Sequence, residues 1–361
     1  MSSSNEFTIG FARRGYSSGG AEAYLKRLAA GVAATGRRVA LFTAGDWPAE
    51  EWSFGPIVRV KAKSAIGFAD ELEKISRDNC DVLLSLERVW RCDVYRAGDG
   101  VHRAWLQRRA DTGGLVPKFS RFFNRKHSAA LDLEESLFAN RRARRVIANS
   151  RMVKDEIVGV YGYPAEQIDV VYNGVPLDLF RGEKESATGR DEVAVLFAGS
   201  GWERKGLQFA FDAFQARPGK MKLLVAGRGD SGKFSSSRTE FLGVVRDMPG
   251  VYRAADIFLL PTIYDPFSNA CLEALAAGLP VITTKANGFS EIIENGRHGT
   301  VVDDPRNVSA LTEALEFWSD PVRREQARID NRALAAQFDI STNVAKTLEI
   351  VTQTAASAAS T

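Results

Sequence analysis

Two carboxylates eight residues apart mark the most informative stretch of this 361-residue sequence. Asp265 follows a short apolar run, and Glu273 falls within a stretch with helical spacing, for which Ser268 or Asn269 is a suitable N-cap and Gly278 a suitable end. Free N–H groups in the first turn of a helix favour anions, and carboxylates accept hydrogen bonds from vicinal sugar hydroxyls. The whole segment predicts a site for a diphosphate that carries a sugar, although either acid alone is more typical of a solvated surface.

Adjacent cations follow an apolar run that begins the second half of the chain. The run ends in the turn Gly199-Ser200-Gly201, and Arg204 and Lys205 come directly after it. A guanidinium forms paired hydrogen bonds with phosphate oxygens, and an ammonium supplies a compact charge, so both suit a diphosphate leaving group. A solvated basic turn explains these residues equally well when they are considered alone.

Two glycine-containing loops complete the candidate phosphate sites. Gly19 and Gly20 lie between an apolar run and a helical pattern, where a backbone can approach a ligand closely, although a tight turn is an equal explanation. Residues 227–234 nearly match the phosphate-loop pattern, but Phe234 stands where that pattern needs Ser or Thr. We therefore expect a mobile loop over the ligand there and no nucleotide triphosphate site.

A scaffold of parallel strands would bring these segments together. Apolar runs of strand length alternate with helical periodicity at residues 7–11, 38–43, 81–85, 145–149, 168–172, 193–199, 222–227, 257–261 and 281–284. Continuous apolar strands between helices are typical of α/β sheets that are covered on both faces and bind ligands at the carboxyl ends of their strands. We predict two Rossmann-like β/α/β domains facing across a cleft, at residues 1–175 and 176–335, with a polar linker at 181–191. Residues 336–361 are expected to form a C-terminal helix that packs back on the first domain and ends in a frayed tail.

Composition excludes several classes of protein. Hydrophobic residues make up 45% of the chain and charged residues 26%, which is ordinary globular usage. The three cysteines form no CxxC pair, and the three histidines lack metal-ligand spacing, so we expect a reducing compartment and no metal. No apolar run suits a signal peptide or a membrane span, and the sequence therefore predicts a cytoplasmic protein. Residues 1–175 carry a net charge of +6 and the remainder −3, so the first half attracts anions more strongly.

The segment at residues 264–282 resembles the E-x7-E signature of retaining glycosyltransferases of family 4, which have the GT-B fold, with Asp265 in place of the first Glu. The resemblance implies a nucleotide-sugar donor and two facing Rossmann-like domains. It implies that Asp265 contacts the donor sugar, that Glu273 contacts the ribose, and that backbone N–H groups of residues 267–270 approach the sugar and phosphates. Arg204 and Lys205 would hold the phosphates beside Ser200, where many relatives carry an Arg.

The same resemblance extends the set of site residues. Val244 and Val245, directly after a glycine, would bind the nucleotide base, although an ordinary strand and turn explains them as well. The donor-binding residues implied are Gly19, Gly20, Ser200, Arg204, Lys205, Val244, Val245, Asp265, Phe267, Ser268, Asn269, Ala270 and Glu273. The catalytic residues implied are Asp99, His102, Asp265, Arg204 and Lys205.

A basic and aromatic stretch lies in the first half. Residues 88–126 hold ten basic side chains against three acidic ones, with five Trp and Phe residues between them. This composition suits an anionic membrane surface or nucleic acid, and a solvated mixed face explains it too. Residues 92–103 resemble the lipopolysaccharide core glucosyltransferases, which implies a phosphorylated glycolipid acceptor. Asp99 would then lie near the reacting hydroxyl and accept its proton, with help from His102.

We therefore expect a metal-independent, retaining hexosyltransferase that moves a hexose, glucose in the first instance, from a UDP-sugar to a glycolipid or polysaccharide such as the lipopolysaccharide core. Residues 103–126 would bind the inner face of the plasma membrane peripherally, and no nucleic acid partner is expected. A GT-B epimerase or phosphorylase and a non-catalytic protein that binds anionic polymers stay open as alternatives. An NAD-dependent dehydrogenase is disfavoured because the loop at residues 15–20 does not fit G-x-G-x-x-G.

Overall fold

The computed structural model describes residues 7–16, 20–45, 47–112, 125–182, 192–216, 219–234 and 236–359. The chain divides into two compact units. Unit 1 contains Met1–Tyr172 and Ile340–Thr361, and unit 2 contains Asn173–Asp339. Each unit is built around its own parallel sheet, which confirms the predicted α/β class with two Rossmann-like domains.

Among the described residues of unit 1, seven parallel strands form a sheet in the order β3-β2-β1-β4-β5-β6-β7. The strands are β1 (Thr8–Ala12), β2 (Arg38–Thr43), β3 (Ile57–Arg59), β4 (Val82–Ser85), β5 (Cys92–Ala97), β6 (Ala143–Ala148) and β7 (Ile168–Val170). The helices that follow them are α1 (Gly20–Ala34), α2 (Ala65–Asn79), α3 (His102–Thr112), α4 (Arg125–Glu134) and α5 (Arg151–Tyr161). One π-helical turn, Glu135–Ala139, continues α4.

Both faces of the unit 1 sheet are buried, as the continuous apolar strands predict. In β2, Val39 and Leu41 pack in one hydrophobic cluster, and Ala40 and Phe42 pack in another. Successive side chains of a strand point to opposite faces, so these two clusters cover the two sides of the sheet. The alternation explains why the strand has no polar face.

Among the described residues of unit 2, six parallel strands form a sheet in the order β10-β9-β8-β11-β12-β13. The strands are β8 (Val193–Ala198), β9 (Met221–Ala226), β10 (Thr239–Gly243), β11 (Ile257–Leu260), β12 (Val281–Thr284) and β13 (Gly299–Val302). The helices are α6 (Leu177–Phe180), α7 (Trp202–Lys205), α8 (Leu207–Ala216), α9 (Met248–Ala254), α10 (Asn269–Ala277), α11 (Val308–Phe317) and α12 (Pro321–Ala335).

The chain returns to unit 1 at its last helix, α13 (Ile340–Ala359). In unit 1 the hydroxyl of Tyr24, on α1, donates to Asn343 Oδ1 at 2.8 Å, and Val344 packs in the same hydrophobic cluster as Leu28. The helix therefore covers apolar surface that α1 presents.

The boundary between the units differs slightly from the predicted residue 175. Residues 173–175 lie in unit 2 because Asn173 Nδ2 donates to the carbonyl of Phe267 at 3.2 Å and Val175 N donates to the carbonyl of Phe338 at 2.9 Å. The predicted linker overlaps residues 183–191, which are outside the described residues.

Candidate active site

The segment with the two acids connects β11 to α10 in unit 2. Asp265 N donates to the carbonyl of Ala286 and Gly288 N donates to the carbonyl of Asp265, both at 2.9 Å. These bonds tie the loop after β11 to the loop after β12, its neighbour in the sheet. The carboxyl ends of adjacent parallel strands therefore fix the position of Asp265, as the predicted topology requires.

Lys205 and Asp265 form an ion pair. Their side chains are only 12% and 7% exposed. Lys205 lies on α7, after β8, and Asp265 follows β11, and these two strands pair directly. Sequence analysis assigned the two residues to separate ligand groups, and the fold brings their charges into contact at one edge of the sheet.

The backbone of Arg204 is joined to the same loop. Its carbonyl accepts hydrogen bonds from Ile263 N at 3.0 Å and from Thr262 Oγ1 at 2.7 Å, and its Nη1 donates to the carbonyl of Tyr264 at 3.1 Å. Gly206, next along the chain, has φ of +77°, and a Cβ placed on it would lie 2.0 Å from the carbonyl oxygen of Pro261. Only glycine allows this approach, so the basic turn and the acidic loop are held as one block.

The first turn of α10 keeps unpaired backbone donors. Ser268 Oγ caps the helix by accepting from Cys271 N at 3.3 Å, and Gly278 ends it with φ of +92°, which confirms the predicted cap and end. The N–H groups of Asn269 and Ala270 donate to no group within the described residues. Because such donors and the helix dipole favour negative charge, this end of α10 suits an anion.

Asn287, which sequence analysis missed, supports that helix start from the loop after β12. It is fully buried, and its Oδ1 accepts from Ser268 N at 3.2 Å and from Phe289 N at 3.1 Å. Its Nδ2 donates to Thr283 Oγ1 at 3.0 Å and contacts the sulfur of Cys271 at 3.3 Å. Its place directly after a strand adjacent to β11 is the signal that points to it.

The second acid, Glu273, lies on α10 and is half-buried. The hydroxyl of Tyr252, on α9, donates at 3.2 Å to Glu273 Oε2 and lies at the same distance from the carbonyl of Ala270. Burial, and then the negative charge of Glu273, raise the pKa of Tyr252, so its hydroxyl stays protonated and orients the carboxylate. Sequence spacing gave no indication of Tyr252.

The remaining donor-side predictions fall at several places. Ser200 is exposed between β8 and α7, and Val244 and Val245 follow β10, with Val244 59% exposed. Gly20 begins α1 in unit 1, and Gly19 lies outside the described residues. The predicted mobile loop contains Phe234, which is buried and packs against Trp202 and Phe211.

Cys271 lies within the acidic segment but is not a nucleophile. Burial raises the pKa of its thiol to about 12, and the nearby Asp265 acts in the same direction. A neutral, fully buried thiol is chemically inert. Its role is therefore packing at the start of α10.

In unit 1, Asp99 belongs to a network centred on Arg13. Arg13 lies 3.1 Å from Glu22, 3.7 Å from Glu87 and 3.6 Å from Asp99. Burial lowers the pKa of Arg13, but the three carboxylates together outweigh burial and raise that pKa. Asp99 is the most exposed of the four, with 49% of its side chain accessible. The network leaves this carboxylate open to a ligand while fixing its position.

His102 begins α3 over a buried acid that sequence analysis did not identify. Glu134 has a fully buried side chain, and it accepts from His102 N at 2.5 Å, Arg88 Nε at 2.9 Å and Tyr161 Oη at 2.9 Å. Arg88 also donates to the carbonyl of Gly100 at 2.9 Å. Glu134 thus connects the start of α3 with the loop that carries Asp99.

The imidazole of His102 is neutral at pH 7. Burial, and then the positive charge of Arg88, lower its pKa to about 4. Its Nε2 lies 3.0 Å from Nδ1 of His127, and Trp105 packs against both rings. A neutral ring with this lowered pKa can hold a hydroxyl through a hydrogen bond but is a weak proton acceptor at pH 7.

The basic stretch is only partly described. Residues 103–112 lie in α3 and residues 125–126 begin α4, whereas residues 113–124, with Lys118, Arg121 and three Phe residues, lie outside the described part. No helix in the described ranges is long and apolar enough to cross a bilayer. Nor do His, Cys, Asp and Glu side chains in those ranges form a group of three or more that could hold a metal ion.

Sequence comparisons match both units to known families. Residues 18–179 match the family described as Glycosyltransferase Family 4, and residues 192–319 match Glycosyl transferases group 1. The chain is also 30% identical over 291 residues to the probable transglycosylase BTH_I0986 of Burkholderia thailandensis, and the match spans 76% of this chain and 75% of that protein.

Two solved structures illustrate the fold that this chain shares. WaaG, a glycosyltransferase involved in lipopolysaccharide biosynthesis, superposes with a TM-score of 0.81 at 21% identity over 95% of this chain and 99% of its own. HepE from Anabaena, in complex with UDP-glucose, superposes with a TM-score of 0.72 at 20% identity over 95% of this chain and 99% of its own. These likenesses establish the fold.

Proposed function

Because the chain belongs to glycosyltransferase family 4, we propose that it transfers glucose from UDP-glucose to a phosphorylated glycolipid or polysaccharide, with retention of the anomeric configuration and without a metal ion. Its activity is that of a GT-B-type glycosyltransferase. The lipopolysaccharide core is the acceptor class that the segment at residues 92–103 favours.

One arrangement in unit 2 carries the donor assignment. Lys205, Asp265 and the open N–H groups of Asn269 and Ala270 meet where β8 and β11 end. A cation and backbone donors suit a diphosphate, and a carboxylate suits sugar hydroxyls. The solved complex of HepE with UDP-glucose supports a donor of this class for the fold.

The donor would be held by groups with separate tasks. The amides at the start of α10, with Arg204 and Lys205, would stabilise the diphosphate as negative charge develops on its oxygen. Asp265 would release Lys205 in part and accept from the sugar hydroxyls, while Glu273, oriented by Tyr252, would accept from the ribose. Ser200, Val244 and Val245 would line the nucleotide.

In the reaction we propose, the acceptor hydroxyl oxygen bonds to the anomeric carbon on the face from which the diphosphate oxygen departs. The bond from that carbon to the diphosphate breaks, and its electron pair leaves with the nucleotide. Asp99 would accept the hydroxyl proton, and the neutral imidazole of His102 would orient the hydroxyl. Unit 1 would thus serve the acceptor.

The donor assignment is tested by thermal shift and turnover with a panel of nucleotide sugars. We expect UDP-glucose to raise the melting temperature most, because a ligand that binds the folded state stabilises it. Lys205→Ala is expected to lower kcat about 10²-fold through lost charge stabilisation. Lys222→Ala, which removes an exposed ion pair with Glu240, is the matched control. Normal turnover by Lys205→Ala would refute the phosphate role.

Stereochemistry and metal use have direct assays. Proton NMR of the glycosylated product reports the anomeric configuration, and an inverted product would overturn the retaining mechanism. Activity after exhaustive chelation with EDTA is expected to match untreated enzyme. Loss of activity that Mg²⁺ or Mn²⁺ restores would contradict metal independence.

Membrane association is tested with vesicles. We propose that residues 103–126 bind anionic lipid, so neutralising Arg121, Arg125 and Lys126 together is expected to reduce cosedimentation with phosphatidylglycerol vesicles at low salt. Neutralising three exposed cations of unit 2, Lys285, Arg297 and Arg306, is the control of equal charge. Equal sedimentation of both variants would reject the assignment.

A further inference from the structure

A cavity of about 210 Å³ lies in unit 2 at the C-terminal end of α10. Gly278 and Pro280 line it from the end of that helix, Tyr252 from α9 and Pro321 from the first turn of α12. The candidate donor groups lie around the opposite, N-terminal end of α10. The cavity is therefore separate from the donor site, although Tyr252 contacts Glu273 from its wall.

Arginine side chains dominate the wall of this cavity. The four are Arg253, Arg324, Arg328 and Arg332. Two carboxylates partly offset them, since Arg328 Nη2 lies 2.6 Å from Glu325 and Arg324 Nε lies 3.7 Å from Asp256. Within the described residues, neither Arg253 nor Arg332 forms an ion pair. The lining therefore has two arginines that no carboxylate reaches within 4 Å, although the charge of Glu325 acts on Arg332 from farther away.

Arg332 has unused hydrogen-bonding capacity. Its Nη2 donates to the carbonyls of Gly182 at 2.7 Å and Ala277 at 3.4 Å, but its Nε is buried and has no hydrogen-bond partner within the described chain. Burial, and then the positive charge of Arg328, lower the pKa of Arg332. A buried donor without a partner is costly, and in native proteins it points to a bound water or ion.

Helix electrostatics explain only part of this cluster. Cations near a helix C-terminus are favourable, and the bond from Arg332 to Ala277, the last residue of α10, meets that need. Arg253, in the last turn of α9, meets the same need for that helix, but the buried Nε of Arg332 has no such explanation. The N-terminal end of the 15-residue α12, at Pro321, adds further positive potential to the wall.

We propose that this cavity is a binding site for a small phosphate monoester in solution, held by Arg253 and Arg332. Guanidinium forks match the oxygens of a phosphate in geometry and charge. A phosphate there would accept from the buried Nε of Arg332 and neutralise both unpaired cations. Arg253 and Arg332 are not among the proposed donor groups, although Tyr252 borders both places, and the site does not depend on the identity of the sugar donor.

Calorimetric titration of the full chain with inorganic phosphate and with glycerol 3-phosphate tests the site. The Lys205→Ala variant is used throughout to weaken phosphate binding at the donor site, since Lys205 does not line the cavity. Adding R253Q and R332Q is expected to weaken binding at least about tenfold, because each substitution removes a charged hydrogen bond to the phosphate. R323Q, an exposed arginine of α12 outside the cavity, is the matched control and is expected to leave affinity unchanged.

Circular dichroism checks that each variant folds. Should R332Q disturb the end of α10, R253Q alone decides, because Arg253 makes no bond within the described structure that its loss would break. Unchanged affinity in R253Q, or an equal loss in R323Q, would overturn the proposal. So would arginine-dependent binding of phosphatidic acid vesicles by a protein that binds neither soluble phosphate, because the ligand would then be a lipid headgroup.

Discussion

The donor-side residues of unit 2 and the charged network of unit 1 are built in different ways. In unit 2 the groups come from two short segments, residues 199–206 and 261–273, and backbone hydrogen bonds hold them together. In unit 1, Arg13, Glu22, Glu87 and Asp99 come from separate parts of the chain and meet through side-chain ion pairs. Each of the two segments in unit 2 is recognisable in the sequence by itself, and folding joins them; the four residues of unit 1 share no such local pattern.

The two arrangements differ in whether a side-chain substitution should first change ligand binding or folding. Backbone bonds in unit 2 survive most side-chain substitutions, so changes there should alter ligand binding more than folding. Buried charges in unit 1 depend on one another, because a charge that loses its partner remains desolvated. Changes there should alter folding first.

The largest expected effect tests the buried charge of unit 1. Glu134→Ala leaves Arg88 buried without its carboxylate, and we expect the free energy of unfolding of unit 1 to fall by about 3–5 kcal/mol. Urea denaturation followed by circular dichroism measures this loss. Glu135→Ala, which removes an exposed carboxylate 3.7 Å from Arg103, is expected to cost at most about 1 kcal/mol. Similar losses in both variants would remove the distinction between the two regions.

A pair of helix caps sharpens the comparison. Ser268 caps α10 and Ser150 caps α5 through the same type of bond, to Cys271 N and Val153 N. Replacing either serine with Ala is expected to cost about 1 kcal/mol of stability. Only Ser268→Ala should also weaken UDP-glucose binding in calorimetry. A donor affinity that Ser150→Ala changes equally would mean that stability alone controls it.

A smaller effect is expected for the hydroxyl that orients Glu273. Tyr252→Phe removes a bond worth about 0.5–1.5 kcal/mol, and UDP-glucose affinity should fall by up to about tenfold. Tyr163→Phe, which removes a buried hydroxyl bonded to the carbonyl of Ala143 at 2.9 Å in unit 1, serves as the control. Its donor affinity should equal that of wild type, and a matching loss would contradict the role of Tyr252.

The pH dependence of His102 gives a test that needs no substitution. The pKa of its ring is lowered to about 4 by burial and Arg88, with His127 acting in the same direction and Glu134 opposing. Between pH 6.5 and pH 4 the unfolded chain binds a proton that folded His102 refuses, so stability falls as pH falls. NMR titration of the ring proton should show a midpoint near 4. A midpoint near 6.5 would show that the ring is solvated.

Sequence reasoning predicted the fold class and the limits of the helix that carries Glu273. The predicted strands are confirmed to within two residues, and Ser268 and Gly278 bound α10 as expected. The list of predicted strands lacks β3, β5, β10 and β13, which are short or, as in β5 and β10, contain charged residues that interrupt the apolar run. Sequence patterns therefore predict those strands and helix ends that depend on a single continuous segment.

The same reasoning did not reach the partners that orient the site. The pairing of Lys205 with Asp265 depends on which strands are neighbours in the sheet, and spacing along the chain does not encode that order. Glu134 lies 32 residues from His102, whose backbone N–H it accepts from, and Tyr252 lies 21 residues from Glu273, whose carboxylate it contacts. Both lie within otherwise ordinary helices. Such residues are recognised only by their burial and by what they touch.

The course of the chain has a consequence for how the protein forms during synthesis. All other described strands and helices of unit 1 are complete by Tyr172. Helix α13, whose Asn343 bonds to Tyr24, is translated only after all of unit 2. The apolar surface of α1 that α13 covers therefore stays exposed while about half of the polypeptide is still being translated. A nascent chain paused before Ile340 should engage holding chaperones through that surface, and release from the ribosome should end the interaction.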